Sequence, residues 1–291
     1  MTDTNPLSHI VQHPAVQRPF DAGPLTPEGK ITLFSDHIAM IVLAGLLLVV
    51  ILPRALRRKK DQGALERLVP RGPAHAIEAI CHYLREEVAR PALGAHTDRF
   101  IKYIWSVFFF VLTLNLLGIL PIAPVTSLFH LEVGGVDLHI GGTATANIWV
   151  TATLATLTVL MMVVNGLRIG KVDFLKHLVP GPLLLKPLML VIEVIGIGAK
   201  GFALAIRLFA NMVAGHTLMA VLLGFILSAF SVGIGLGFGV AIPVVLGSVA
   251  ISMLEIFVAF LQAFIFAFLT ALFLGQSVNV HHDDHHGEAH A

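Results

Sequence analysis

One arginine, one glutamate and one histidine stand inside a stretch of sequence otherwise suited to hydrocarbon. From Pro187 to Val280 the formal charges are four, Glu193, Lys200, Arg207 and Glu255, and His216 lies among them. A guanidinium keeps its charge at any physiological pH. Placing one at the centre of a membrane helix costs roughly 3 kcal/mol on insertion scales, and on the order of 10 or more on an isolated helix in simulations. Arg207, in the run GFALAIRLFANMVAGH, therefore requires a route to water or an ionic partner. An intramembrane carboxylate such as Glu255 is also costly and commonly marks an ion path. The imidazole of His216 belongs to the one side-chain class whose charge changes near neutral pH. These residue types point to the movement of an ion or proton rather than to bond-making chemistry.

Helical spacing gathers the remaining polar residues into stripes. Glu193, Lys200 and Arg207 recur every seven residues and Asn211 follows four beyond, so all four lie near one face. His216, nine residues past Arg207, faces elsewhere. Further along, Ser248, Glu255, Gln262 and Gln276 share a face at multiples of seven. The bland alternative is that Ser248, Asn211 and Gln262 glue helices together and that His216 is a packed neutral imidazole. Arg207 fits that alternative least, since Glu193, four turns away, is its nearest carboxylate in sequence on that face. Taken together, the set reads as two antiparallel helices, each with a polar seam through hydrocarbon.

The elements that must carry these residues are membrane spans. The chain has 291 residues, 56% hydrophobic and 13% charged, with mean hydropathy +0.85. Soluble domains carry about a quarter charged residues. A net charge of +1 gives no case for nucleic-acid binding, and the single cysteine, Cys81, excludes an internal disulfide and offers no metal-site spacing. Residues 1–35 are polar and lack the apolar run of a signal peptide. A first span, Ile38 to Leu52, is expected to end at Pro53-Arg54, with Phe34 and Leu56 able to extend it. Arg57, Arg58, Lys59 and Lys60 follow and mark the cytoplasmic side, which places the N-terminus outside. Residues 74–90 set Ile77, Ile80, Cys81, Leu84 and Val88 against a charged face, begin at Pro73 and are closed by Pro91 and Gly94. That pattern predicts an amphipathic helix on the cytoplasmic membrane surface.

A second span, Phe100 to Leu120, and a third, Ala146 to Leu167, flank an outer connection without Lys or Arg, in which alternation near Phe129 to Ile140 suggests a small hairpin. The loop after the third span carries Arg168, Lys171, Lys176 and Lys186 and returns to the inside. From Leu188 to Val280 a hydropathy window could draw three or four spans; the break suggested by Ser231-Val232-Gly233 divides the remainder into two helices, 187–228 and 232–278. The second would be about 70 Å long at 1.5 Å per residue, more than twice the hydrocarbon thickness, so it must tilt or curve. The expected fold is an all-α integral membrane protein of five membrane-embedded helices plus one amphipathic interfacial helix, the last two long and steeply tilted as a hairpin. It comprises a polar segment 1–35, a membrane domain 36–279 and a tail 280–291.

Two segments carry a specific resemblance: IRLFANMVAGH at 206–216 and LEIFVAFLQAFIFAFLT at 254–270. Both resemble signature segments of subunit a of F-type ATP synthases, and NLLGILPI at 115–122 resembles a third. The resemblance covers about 34–279. It implies a stator proton channel in the F0 sector, with two offset half-channels beside a rotating ring of c subunits. It also implies b-type peripheral stalk subunits and, indirectly, the F1 sector as partners, no cofactor, and a bacterial inner membrane with the C-terminus cytoplasmic. By position, Arg207 matches the family's essential arginine, which favours the ionised form of a passing rotor carboxylate. Gln262 matches the glutamine near that arginine, and Asn211 and Asn115 match polar positions of the path. His216 and Glu255 match a pair lining the outer half-channel, with carboxylate and imidazole exchanged relative to some bacterial members. Glu193 and Lys200 match positions toward the cytoplasmic exit, and Ser248 extends the seam.

The competing classes have less support. A self-contained ion-coupled secondary transporter would also want buried charges, but no internal repeat and no short discontinuous helix pair is visible. HExxH, GxSxG and the GxxxxGK[ST] phosphate loop are absent, which speaks against an intramembrane enzyme or an ATP site on this chain. The tail HHDDHHGEAH has five histidines and three carboxylates without the spacing of a structured zinc site, and reads as solvated.

Overall fold

Long unbroken runs of apolar helix formers produce the architecture found here, in which nearly every described residue is helical. A computed structural model of the chain describes residues 14–19, 30–55, 72–120, 132–133, 136–137, 144–170 and 186–278. The basic cluster 57–60, the extension at Leu56, Lys171, Lys176 and the tail 280–291 lie outside the described residues, as does most of the polar segment.

Two short antiparallel pairs are an addition to the all-α expectation. β1 (Pro14–Pro19) pairs with β2 (Lys30–Ser35), and β3 (Glu132–Val133) pairs with β4 (Val136–Asp137). The second pair falls where alternation suggested a hairpin. The first was not expected; its strands carry the β-branched residues Val16, Ile31 and Thr32, and its prolines sit at the ends of β1, where a missing N–H is tolerated. Phe34 belongs to β2 and does not extend the first span.

Five helices among the described residues are long and apolar enough to cross a membrane. The first, α1 (Asp36–Ala55), runs through Pro53 instead of ending there. Proline in the last turn removes one hydrogen bond only, and Arg54 Nη1 donates to the Val50 carbonyl at 3.1 Å, serving the helix end. The amphipathic segment is less regular than predicted. It begins as α2 (Pro73–Tyr83), widens into a π-helical turn at Leu84–Ala89 and resumes as α3 (Arg90–Leu93). Pro91 has no N–H to return to the preceding turn, and the wider turn, with Arg90 N–H on the Arg85 carbonyl, accommodates it. The segment therefore continues past Pro91 and turns at Gly94, whose φ of +54° only glycine adopts without strain. Its apolar face is buried at Leu84 and Val88, while Glu78, His82, Glu87 and Arg90 are exposed.

The next helices are α4 (Thr97–Ile119) and α5 (Ile148–Asn165), the latter ending in a π-helical turn at Gly166–Gly170. The final pair is α6 (Lys186–Val232), 47 residues, and α7 (Ile234–Val278), 45 residues, parted at Gly233 alone. The first is longer than expected, because Ser231 and Val232 remain helical and belong to α6, and the second starts two residues later than expected for the same reason; the Ser231 hydroxyl bonds the Ser228 carbonyl at 2.7 Å.

The described residues fall into two compact units, one drawn from Met1–Leu46, Leu112–Thr151 and Ile206–Gln262, the other from Leu47–Val111, Ala152–Ala205 and Ala263–Ala291. In the first, Met40, Leu114, Leu208, Met212 and Ala259 are buried, and the hairpin end is closed by Phe230 edge-on to Phe238, with ring centroids 5.4 Å apart. In the second, Leu84, Leu93, Ile104, Phe108, Leu204, Phe266 and Leu274 form the core. Ala263, Ala267, Ala271 and Gly275 make a buried ridge of small residues along α7, which allows close approach of its neighbours. Trp105 Nε1 donates to the Cys81 carbonyl at 3.0 Å, and Arg85 meets Asp98 at 2.6 Å, tying the interfacial helix to α4. Leu46, Val49, Trp149, Phe202, Phe238, Leu246 and Met253 are exposed, as hydrocarbon-facing side chains must be.

At Gly275 an added Cβ would overlap the Ala92 carbonyl oxygen and come within 2.8 Å of its carbon, and backbone cannot give way as a side chain can. Gly275→Ala is expected to destabilise the protein by about 1–3 kcal/mol through overpacking. Thermal melting of the purified protein in detergent checks this, with Gly198→Ala, at an open position, showing no such loss.

Candidate functional site

Arg207 is exposed on α6, and among the described residues no ion pair and no side-chain hydrogen bond engages its guanidinium. The residues on the other side of that turn, Leu204 and Leu208, are fully buried, so the helix is anchored by its apolar face and presents the cation outward. Asn211, one turn on, is half-buried.

The register of α6 against α7 follows from one close approach. Glu255 lies directly on Gly215, where an added Cβ would overlap its Oε1 and fall 3.0 Å from its Cδ. Moving eight residues back along α6 reaches Arg207, and moving seven forward along the antiparallel α7 reaches Gln262, so the two stand at about the same level. Gln262 is buried, and its Nε2 has no partner among the described residues. Glu255 is half-buried, and its Oε1 is buried without a partner among the described residues. His216, next to Gly215, is half-buried. Asn115 from α4 is fully buried and donates from Nδ2 to the Ala259 carbonyl at 3.4 Å, while its Oδ1 has no described partner. Ala259 stands one turn from Glu255 and one from Gln262, so Asn115 enters between them.

A buried polar atom without a partner costs roughly 1–3 kcal/mol. Glu255 Oε1, Asn115 Oδ1 and Gln262 Nε2 carry that cost within or beside two turns of α7, as His96 Nδ1 and Thr145 Oγ1 do elsewhere among the described residues. Ser248 is different: its hydroxyl donates to the Val244 carbonyl of its own helix at 2.8 Å.

Arg207, Asn211, His216, Ser248, Glu255, Gln262 and Asn115 all belong to the first compact unit. Glu193 and Lys200 belong to the second, and there Lys200 Nζ donates to Gln276 Oε1 at 3.2 Å and sits 5.5 Å from the centre of the Phe273 ring. The stripe read along α6 is thus shared between two units. Glu193 is half-buried and has no ion pair among the described residues. Sequence reasoning missed Gly215, Phe273 and the Ala259 carbonyl. A glycine inside a long helix, where alanine would be better by about 1 kcal/mol, is the one signal that pointed to Gly215; backbone carbonyls leave none.

The family described as ATP synthase A chain matches residues 38–275. Among curated relatives, ATP synthase subunit a of Anaeromyxobacter dehalogenans (strain 2CP-C) is 38% identical over 261 residues, covering 88% of this chain and 60% of the relative. ATP synthase subunit a 2 of Chlorobaculum tepidum is 38% identical over 257 residues, covering 87% and 65%. ATP synthase subunit a of Myxococcus xanthus (strain DK1622) is 36% identical over 261 residues, covering 88% and 77%. The chain therefore spans 60% and 65% of the length of the first two relatives.

The Lys200–Gln276 contact can be measured directly. A double-mutant cycle with Lys200→Met and Gln276→Leu, read as unfolding free energy in detergent, is expected to give a coupling of about 0.6 kcal/mol, the mean for interhelical polar contacts in membrane proteins.

Proposed function

Because the chain belongs to the ATP synthase A chain family, we propose that it is the stator proton-channel subunit of the F0 sector of an ATP synthase. In this reading it makes and breaks no covalent bond, and supplies two offset half-channels that load and unload carboxylates on a rotating ring of c subunits. Stalk subunits of the b type hold it in place, and the F1 sector is coupled to it indirectly. Its home is a bacterial inner membrane, with the N-terminus outside and the C-terminus cytoplasmic; the basic cluster Arg57–Lys60 supports that orientation. A self-contained secondary transporter is not favoured, given the family.

The observation that carries the reading is Arg207: a permanent cation, exposed on an apolar helix, without an anionic partner among the described residues. A carboxylate on a neighbouring, moving subunit completes it. As that carboxylate arrives, the guanidinium favours its ionised form and so drives release of its proton. The same charge repels a proton crossing directly from one half-channel to the other. Gln262, level with Arg207 and carrying an unpartnered amide, orients the guanidinium or the water beside it. Glu255 and His216 line the outer half-channel, with Asn115, Asn211 and Ser248 as its polar wall. Glu193 and Lys200 stand on the cytoplasmic exit.

Arg207→Ala is expected to abolish ATP-driven proton pumping by the assembled complex in inverted vesicles, with the chain still present in the membrane. Normal coupled pumping by that variant would sink the gate. Glu255→Gln should lower passive proton conduction through F1-stripped vesicles without abolishing it; unchanged conduction removes Glu255 from the path.

A further inference from the structure

We propose that Gly215 is a positioning residue for Glu255: the missing side chain on α6 is the space in which the α7 carboxylate lies. The proposal rests on the reading of Glu255 as part of the proton path. A Cβ at position 215 would overlap Glu255 Oε1, lie 3.0 Å from Cδ and 3.6 Å from Cγ, and meet no other atom ahead of these. The carboxylate oxygen there is buried and has no hydrogen-bond partner among the described residues. Its place is therefore set by packing against bare backbone rather than by a bond. Glycine is the poorest helix former apart from proline, yet it stands here within the 47-residue α6. Elsewhere on the same helix Gly196, Gly198 and Gly224 face open space and Gly201 meets a Val159 methyl at 2.9 Å, so Gly215 is the glycine of α6 that a carboxylate approaches.

The obstructing atoms are the far end of a flexible side chain, not backbone. An alanine at 215 would leave the helices where they are and push the carboxylate back by about 1 Å to reach ordinary van der Waals separation. Displacement of that size in a proton-handling site lowers its rate steeply, here by up to about a hundredfold. An aspartate at 255 is one methylene shorter and fits beside that alanine.

The experiment measures passive proton conduction in F1-stripped vesicles carrying the assembled membrane sector, with the amount of chain in the membrane measured in parallel. The variants are Gly215→Ala, Glu255→Asp, the two combined, Glu255→Gln, and Gly224→Ala as the open-space control. Gly215→Ala and Glu255→Asp each lower conduction at unchanged chain content, the combination conducts better than either, and Gly224→Ala matches the unsubstituted protein. A packing role without proton handling would not yield that rescue. Unimpaired conduction by Gly215→Ala, a combination no better than the single variants, or loss of Gly215→Ala chain from the membrane overturns the positioning role. If Glu255→Gln conducts normally, the proton-path reading itself falls, and the positioning role falls with it.

Discussion

A permanent charge on an apolar helix is the constraint to which the rest of this protein is fitted. Arg207 cannot neutralise itself, and burying it among the described side chains would have required a carboxylate that the first compact unit does not bring to it. The helix instead buries Leu204, Leu208 and Met212 and turns the guanidinium outward. An outward cation at membrane depth is tolerable only with water or a mobile anion beside it. Under the proposed function the second of these is a carboxylate on a neighbouring rotor subunit.

The polar groups packed against α7 near that charge are incompletely satisfied. In most folded proteins a buried donor or acceptor finds a partner. Here Glu255, Asn115 and Gln262 each keep a buried polar atom without one among the described residues. They stand within two turns of α7 or reach into that interval from α4. Ser248, Ser252 and Thr270 instead return their hydroxyls to carbonyls four residues back along α7.

Much of this was legible from residue types and spacing. Blocks of membrane length, the basic residues that close them and the heptad recurrence of Ser248, Glu255 and Gln262 depend only on local chemistry and the helical repeat. The break at Gly233 was legible too, though hydropathy could not show that Ser231 and Val232 stay helical. The π-helical turn at Leu84–Ala89 was not anticipated, because a proline signals an end more often than a widened turn. The β1–β2 pair was missed because its strands are short and the surrounding sequence is polar.

By itself the sequence determined the class, the family and the identity of the charged residues, since each rests on composition, periodicity or local motif, whereas hydropathy alone left the number of spans after Leu188 open. Only the tertiary structure decided which of those residues meet. Whether Glu255 lies on Gly215, whether Asn115 enters beside Ala259, and whether Lys200 finds Gln276 depend on how two helices are set against each other along their length. Helical periodicity fixes angle around an axis but not axial offset between two axes. That offset is chosen by packing, where small residues permit close approach and large ones forbid it. Gly215 is where that choice places a carboxylate against bare backbone.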